Sequence, residues 1–365
     1  MFKSTLLVFL AAALAQQHHQ QQQRQAQLPP TTTPIRGSWG LQAVDAESAW
    51  PLVSDKSEIV VAVIDTGVDV DHPDLASAIW RNPGEIPGNN IDDDGNGFVD
   101  DVNGWNFAHG NNRLDDNHGH GTHIAGIIGA TGQMAIRGVA PHVRIMVLKY
   151  VDPKRPGADP LLSTVNAIEY AVRMGAKIIN YSAGGKRPSK RERDAIEVAS
   201  QAGILFVAAA GNESSDSDLK GYYPADYDLP NILSVTAVDP ERRVLPSSNF
   251  GARTVAIAAP GERILSTLPK GKYGLMTGTS QATAFATGVA ALLMANREGR
   301  IEPQMVAQAL AMSGDVQPNL KFKTRYQTVL NAKRALVMHD RATSATGLVV
   351  EQAEMLDPRL LDPQL

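Results

Sequence analysis

The chain of 365 residues contains no cysteine and no large excess of charge of either sign. Without cysteine, disulfides, zinc–thiolate sites, a thiol nucleophile and lipid attachment through cysteine are all excluded. The net charge of −4 gives no indication of a nucleic-acid partner. Apolar residues make up 43% and charged residues 20%, which is typical of a soluble globular protein with a sizeable core, in one large domain or two ordinary ones.

The N-terminus has the pattern of an export signal. Lys3 precedes a short apolar run at 6–14, and the small residues Ala13 and Ala15 provide a cleavage site. The run is shorter than the roughly 20 residues that span a bilayer as a helix. We therefore predict a signal peptide at 1–15 and a secreted protein, extracellular or periplasmic, without membrane contact after cleavage. An uncleaved anchor is the alternative.

Segments of biased composition flank the rest of the chain. Residues 16–37 are rich in Gln, His and Pro, which bury too little apolar surface to fold, so we predict a disordered leader. Residues 341–365 are polar and repeat Leu-Asp-Pro, which predicts a C-terminal tail on the surface. The stretch 38–340 has no comparable break and is predicted to be one domain.

Within this domain, short apolar runs alternate with helix-like segments. The runs are rich in Val, Ile and Ala without polar alternation, as expected for strands buried on both faces. They lie at 59–64, 143–151, 177–180, 204–210, 232–238 and 255–259, and helical segments are found at 161–174 and 189–202 and from His123, Ser280 and Ile301 onward. This alternation predicts an α/β fold with three layers, a parallel sheet with helices on both faces.

Polar residues lie at strand ends or strand–helix turns, where parallel sheets place ligands and catalysis. Asp65 ends one apolar run, Asn212 follows another, and His118, His120 and His123 lie around the start of a helix. Each of these residues alone could simply be a turn residue. The histidines could be metal ligands, but the intervening glycines place them in a turn, and the H-E-x-x-H pattern of zinc hydrolases is absent.

Ser280 lies at the start of a long helix of small and apolar residues. An isolated serine there most often satisfies free backbone N–H groups. The same position favours a nucleophile, because a helix N-terminus stabilises developing negative charge. A serine nucleophile needs an imidazole base, a carboxylate that orients the imidazole, and an amide donor for the oxyanion. His120, Asp65 and Asn212 are, in that order, the residue types that these three roles require.

The motifs around these four residues resemble those of the subtilisin-like serine peptidases. They are Ile64-Asp65-Thr66-Gly67, His120-Gly121-Thr122-His123-Ile124-Ala125-Gly126, Ala210-Gly211-Asn212 and Gly278-Thr279-Ser280, in the family's order. The resemblance covers 38–340 and implies a subtilisin-like fold and serine endopeptidase activity. It implies that Asp65 orients His120 and that His120 is the general base. Ser280 is then the nucleophile, and Asn212 lines the oxyanion hole.

The resemblance also implies how a substrate is held. The stretch Ser182, Ala183 and Gly184 resembles the family's edge strand, whose backbone pairs with an extended substrate. Together with Ala209 and Gly211 it would wall the pocket for the residue before the scissile bond. Recognition through the backbone implies polypeptide substrates in extended conformation. We expect a monomer without an organic cofactor, and the sequence predicts no cleavage preference.

An acidic stretch at 92–101 is a candidate calcium site. It resembles the start of an EF-hand loop, with Asp92, Asp94 and Asn96 at ligand positions 1, 3 and 5 and Asp100 at position 9. The usual glutamate at position 12 is replaced by Asn103. We predict structural Ca²⁺ binding here; a solvated acidic turn is the alternative.

A second candidate calcium ligand is Asp74, which matches a ligand of many relatives. The loop that would supply its partners, Thr131 to Arg137, is shorter than in those relatives and has no clear matching asparagine.

Two other functions fit the same motifs. The chain could be an inactive member of the family that serves as a binding module, although nothing then requires all four active-site residues. It could also transfer the acyl group to an amine, as a peptide ligase or cyclase. The chain departs from the family at Gln281, where methionine is usual after the nucleophile.

Overall fold

The computed structural model describes residues 27–28, 39–53, 58–155, 157–296 and 301–338. The predicted signal peptide 1–15, the predicted tail 341–365 and most of the predicted leader lie outside the described residues. Within the leader, Gln27–Leu28 (β1) form a two-residue strand, which pairs antiparallel with Tyr273 and Gly274.

A nine-stranded sheet forms the centre of the molecule. Its strands are β2 (Val60–Asp65), β3 (Gly104–Asn106), β4 (Arg144–Lys149), β5 (Ile178–Tyr181), β6 (Leu205–Ala209), β7 (Ile232–Val238), β8 (Ile257–Pro260), β11 (Asp315–Val316) and β12 (Thr328–Val329). They are ordered β11-β12-β8-β7-β6-β5-β2-β4-β3. The pairs from β12 to β3 are parallel, and β11 adds an antiparallel edge. The six predicted apolar runs coincide with β2 and β4 to β8 to within two residues.

Seven α-helices accompany the sheet in the described part of the chain. They are α1 (Trp39–Ala43), α2 (Ala46–Ala49), α3 (His120–Gly129), α4 (Pro160–Arg173), α5 (Lys190–Gln201), α6 (Thr279–Ala295) and α7 (Pro303–Ser313), and a further helical segment covers 332–338. The starts of α4 and α5 follow from local chemistry. Asp159 accepts a hydrogen bond from the N–H of Leu161 before Pro160 begins α4, and Ser189 accepts one from Glu192 in α5.

The alternation of side chains along β2 divides the core into two layers. Val61 and Val63 pack into an apolar cluster with residues of α3 and α6, and Ala62 and Ile64 pack into another with residues of α4 and α5. Successive strand residues point to opposite faces, so an all-apolar strand requires a helix layer on each face. The predicted three-layer α/β fold is confirmed.

A second, antiparallel sheet lies beside α3. The hairpin of β9 (Ile264–Leu268) and β10 (Lys272–Met276) forms it together with β1. The hydroxyls of Ser266 and Thr267 donate to the carbonyls of His123 and Thr122, both at 2.7 Å, and fix the hairpin to the helix. The sequence analysis did not predict this hairpin, whose strands mix polar and apolar residues. Across the described ranges, no helix is both long and apolar enough to cross a membrane.

Candidate active site

Asp65 and His120 meet at the carboxyl edge of the main sheet. Asp65 is the last residue of β2, and His120 is the first residue of α3. The ring nitrogen Nδ1 of His120 lies 2.8 Å from Oδ1 and 3.0 Å from Oδ2 of Asp65. Since a carboxylate only accepts hydrogen bonds, Nδ1 carries the proton, and the lone pair of the neutral ring is on Nε2. Nε2 is therefore the atom that can take a proton.

The environment of His120 favours the charged imidazolium despite burial. Both side chains are almost fully buried, and burial alone would lower the pKa of His120. The charge of Asp65 and its hydrogen bonds raise the pKa of His120, and the charge of Asp116 raises it further. Together they outweigh the effect of burial, so the pKa of His120 is raised. A proton accepted during catalysis would thus be stabilised by a fixed carboxylate.

Asp116 organises the turn that delivers His120. Its carboxylate accepts hydrogen bonds from the N–H of Gly119 at 2.8 Å, the N–H of Thr122 at 2.9 Å and the hydroxyl of Thr66 at 2.9 Å. Thr66 follows Asp65 directly, so Asp116 ties the end of β2 to the start of α3. The sequence analysis missed this role; a carboxylate just before a helix start was the signal, because the free N–H groups there attract anions.

Ser280 is the second residue of α6 and is buried against the end of β5. Its hydroxyl donates to the carbonyl of Ser182 at 3.1 Å. A position at a helix N-terminus favours negative charge on the serine oxygen. This is the helix-start position that the sequence predicted.

The side chain of Asn212 is oriented by the residue before Ser280. Its Oδ1 accepts hydrogen bonds from the N–H of Thr279 at 2.9 Å and from the Thr279 hydroxyl at 3.2 Å. With the oxygen held in this way, the Nδ2 group is the part of the amide left to donate. An N–H donor beside a serine at a helix start is the arrangement that an oxyanion hole requires.

The predicted substrate-binding residues follow two neighbouring strands. Ser182, Ala183 and Gly184 come after β5. Ala209 is the last residue of β6, and Gly211 follows two residues later. These strands pair in parallel, with Tyr181 opposite Ala208. The N–H of Gly211 donates to the Thr279 hydroxyl at 3.3 Å, which brings this wall to the start of α6.

The two neighbouring histidines, His118 and His123, do not join the Asp65–His120 pair. His123 lies inside α3, and its Nε2 contacts the carbonyls of Ile264 at 3.0 Å and Gly274 at 3.2 Å. Burial, reinforced by the charge of His120, lowers the pKa of His123 to about 3, so this ring is neutral, and its Nε2–H donates a hydrogen bond to the hairpin. Burial and His120 also lower the pKa of His118.

The acidic loop gathers a set of carboxylates that differs in part from the predicted one. Oxygens of Glu85, Asp92 and Asp94 lie within 4.8 Å of one another. Glu85 was not predicted, because it precedes the motif by seven residues. Asp100 is outside this cluster, and its two oxygens accept the N–H groups of Gly88 at 2.7 Å and Asn90 at 3.0 Å. Within the cluster, Glu85 and Asp92 also accept backbone N–H groups.

The side-chain amide of Asn96 also takes part in hydrogen bonds within the loop. Its Oδ1 accepts the N–H of Phe98 at 2.8 Å, and its Nδ2 donates to Asp94 at 3.0 Å and to Asp101 at 2.9 Å. The carboxylates of Glu85, Asp92 and Asp94 fit Ca²⁺, since hard cations prefer such oxygens and like charges repel without a cation between them.

Asp74 is occupied by hydrogen bonds. Its fully buried carboxylate accepts the N–H groups of Met134 at 2.6 Å, Ala135 at 3.0 Å and Ile136 at 3.1 Å, and the hydroxyl of Tyr273 at 2.8 Å. Burial opposes the charge, but these donors outweigh it and lower the pKa of Asp74. The carboxylate therefore holds the short loop at 131–137 through hydrogen bonds alone and does not need a cation to do so.

Comparison with known proteins agrees with this geometry. The model of the Subtilase family matches residues 56–332. The major intracellular serine protease of Bacillus subtilis is 35% identical over 262 residues, which cover 71% of this chain and 75% of that protein. Thermitase of Thermoactinomyces vulgaris is 33% identical over 257 residues, 70% of this chain and 81% of thermitase. Subtilisin-like protease 2 of Plasmodium falciparum is 30% identical over 309 residues, 82% of this chain but 22% of that longer protein. The chain therefore belongs to the subtilase family and is a serine-type endopeptidase.

Proposed function

We propose that this chain is a secreted endopeptidase that cleaves proteins through an acyl-enzyme, with Asp65, His120 and Ser280 as its triad. The observation that carries the proposal is the doubly hydrogen-bonded Asp65–His120 pair, at the same sheet edge as Ser280. The pair leaves Nε2 as the base, and Ser280 supplies a hydroxyl whose oxygen can attack a carbonyl carbon.

The reaction proceeds in two halves. In the first, the Ser280 oxygen bonds to the scissile carbonyl carbon while its proton passes to Nε2 of His120, and Asp65 stabilises the imidazolium. Nδ2 of Asn212 donates to the carbonyl oxygen as it becomes negative. His120 then gives its proton to the leaving amine, and the C–N bond breaks. In the second half, the oxygen of a water bonds to the acyl carbon while its proton passes to Nε2 of His120. The bond between that carbon and the Ser280 oxygen then breaks, the serine oxygen recovers the proton from His120, and the acid is released.

The substrate is proposed to be an extended segment of a protein. The stretch Ser182 to Gly184 would pair with its backbone, and Ala209 and Gly211 would line the pocket for the residue before the scissile bond. The carbonyl of Ser182 accepts a hydrogen bond from the hydroxyl of Ser280 at 3.1 Å, so the stretch from Ser182 to Gly184 begins beside the proposed nucleophile. We propose a monomer that needs neither an organic cofactor nor a nucleic-acid partner.

Secretion rests on the signal-peptide pattern at 1–15, which lies outside the described residues. The family does not decide the location, because the Bacillus relative is named as intracellular. Structural Ca²⁺ is proposed for the acidic loop, held by Glu85, Asp92 and Asp94, where it would neutralise three converging carboxylates. Asn96 and Asp100 remain candidate ligands from the sequence. Asp74 is the weakest candidate because donors already saturate it.

A fluorophosphonate probe tests the proposed function. It reacts only with an activated serine, so we expect stoichiometric labelling of the wild type and none of Ser280→Ala. Ser77→Ala, which changes an exposed serine, is the matched control and should label like the wild type. No labelling of folded wild-type protein would contradict the proposal and favour an inactive binding module. Product masses from a peptide with an added amine acceptor separate hydrolysis from ligation.

A further inference from the structure

An aromatic ring lies between the two walls of the proposed substrate pocket. A Cβ atom added at Gly184 would lie 2.6 Å from Cε1 and 3.1 Å from Cζ of Tyr222. A Cβ atom added at Gly211 would lie 2.9 Å from Cζ and 3.0 Å from Cε1 of the same ring. Gly184 follows β5 and Gly211 follows β6, so one edge of the Tyr222 ring contacts both walls at once. Even a methyl group on either wall would collide with it.

The backbone holds this ring in place. Gly185 and Tyr223 form an antiparallel bridge with N–H···O distances of 2.8 Å and 2.7 Å, which attaches the residue after Tyr222 to one wall. The N–H of Tyr222 donates to the carboxylate of Asp226 at 2.6 Å, and its carbonyl accepts the N–H of Asp226 at 3.0 Å. The backbone from which the ring projects is therefore held by four hydrogen bonds, two with Gly185 and two with Asp226.

Tyr222 as a residue is 8% exposed, as expected for a ring packed into a gap. Burial, with a smaller effect from the charge of Glu213, raises the pKa of its hydroxyl, so the phenol is neutral near neutral pH. The gap between the walls is thus filled by an uncharged group that belongs to the enzyme.

We infer that Tyr222 fills most of the pocket for the residue before the scissile bond, so that the enzyme selects a small side chain there: glycine, alanine or serine. This inference rests on the proposed function, because it uses the same two walls. A leucine, phenylalanine or lysine side chain of the substrate would need the space that the ring occupies. Overfilling a packed site is unfavourable, because the extra atoms force side chains out of their preferred rotamers or shift the backbone.

Selectivity is tested with peptides that differ only in the residue before the cleaved bond. With Gly, Ala, Ser, Leu, Phe and Lys at that position, we expect the wild type to have kcat/KM at least about 100-fold higher for Ala than for Phe. A single misfitting methylene already costs about 10- to 200-fold in such pockets. Tyr222→Ala should reduce this ratio at least about 100-fold, because it opens the space between Gly184 and Gly211.

Tyr222→Phe is the matched variant, since it keeps the ring and loses the hydroxyl. It should retain the preference for small residues, which separates filling of the pocket from hydrogen bonding. A wild type that cleaves the Phe peptide as well as the Ala peptide would overturn the inference, even if Tyr222→Ala fails to fold. A wild type that cleaves none of the peptides and is not labelled by the probe would instead contradict the proposed function.

Discussion

At the scale of single residues, the Asp65 carboxylate does two things to the ring of His120. Its hydrogen bonds fix the proton on Nδ1, and its charge raises the pKa of the imidazole above the ordinary value of 6.5. Only the neutral ring can act as the base. Catalysis should therefore be lost as the pH falls through a midpoint that lies above 6.5.

Replacing Asp65 by asparagine should change both the rate and the pH profile. The amide no longer fixes the productive tautomer, and kcat should fall by about 10⁴, the loss known for this substitution in a serine-protease triad. The acid limb of kcat/KM should also move to lower pH, because the charge that raises the pKa of His120 is gone. Stopped assays between pH 5 and 9 (roughly the range over which imidazoles titrate) measure both effects.

The matched control is Asp194→Asn, which removes an exposed carboxylate of α5 paired with Lys190. It should leave the midpoint of the acid limb in place, since the charge lies outside the active site. An acid limb that does not move in Asp65→Asn would mean that the pKa of His120 does not depend on this carboxylate.

At the scale of elements, α3 connects the active site to the β9–β10 hairpin. His120 begins the helix, and one turn later His123 contacts the carbonyls of Ile264 and Gly274 in the two hairpin strands. The pKa of His123 is lowered to about 3 in the folded chain, against 6.5 for an ordinary histidine. The unfolded state therefore binds a proton between these values and the folded state does not, so stability falls as the pH drops from 6.5 to about 3.

His123→Gln should remove this contribution to acid sensitivity. One such proton contributes about 1.4 kcal/mol of unfolding free energy per pH unit within the window. Urea unfolding of the variant at several pH values between 6.5 and 4 should show a slope shallower by about that amount per pH unit. The background should be Ser280→Ala, which prevents self-digestion.

The Ser280→Ala background, in which His123 is intact, provides the control for this measurement. The two unfolding curves then differ only in the ring of His123. An unchanged slope in His123→Gln would show that the ring is not held neutral by the fold.

At the scale of the whole molecule, the acidic loop is expected to make the stability of the fold depend on calcium. Glu85, Asp92 and Asp94 converge, and Asp101 beside them accepts the hydroxyl of Tyr170 from α4. A cation here would bind the folded chain only. At 100 times its dissociation constant, such a ligand stabilises the fold by about 2.7 kcal/mol, which corresponds to roughly 5 °C in Tm for a domain of this size.

Calcium should therefore raise the Tm of Ser280→Ala by about 5 °C or more relative to a chelator. The additional change Asp92→Asn with Asp94→Asn should abolish the shift. Asp93→Asn keeps it, because Asp93 lies outside the cluster and accepts hydrogen bonds from Ile86 and Asn89. Scanning calorimetry measures all three, and equal Tm values in calcium and chelator would contradict the calcium proposal.

The sequence by itself determined the layers of the fold and the identity of the polar residues at the sheet edge. Strands buried on both faces must be apolar throughout, so the runs that became β2 and β4 to β8 were visible without a structure. The Asp65, His120 and Ser280 motifs were equally visible, because each needs particular residues in a short stretch. Apolar strands and short motifs are each defined by consecutive residues, so they can be recognised in the sequence without a structure.

Only the tertiary structure decided which distant residues meet. The β9–β10 hairpin is held by α3 rather than by an apolar pattern of its own, and Glu85 joins Asp92 across a turn that no motif describes. Tyr222 reads in the sequence as one more aromatic residue. We propose that it fills the substrate pocket, because the segments after β5 and β6 place Gly184 and Gly211 against its ring. Contacts of this kind depend on how strands pair across the chain, and spacing along the sequence does not encode them.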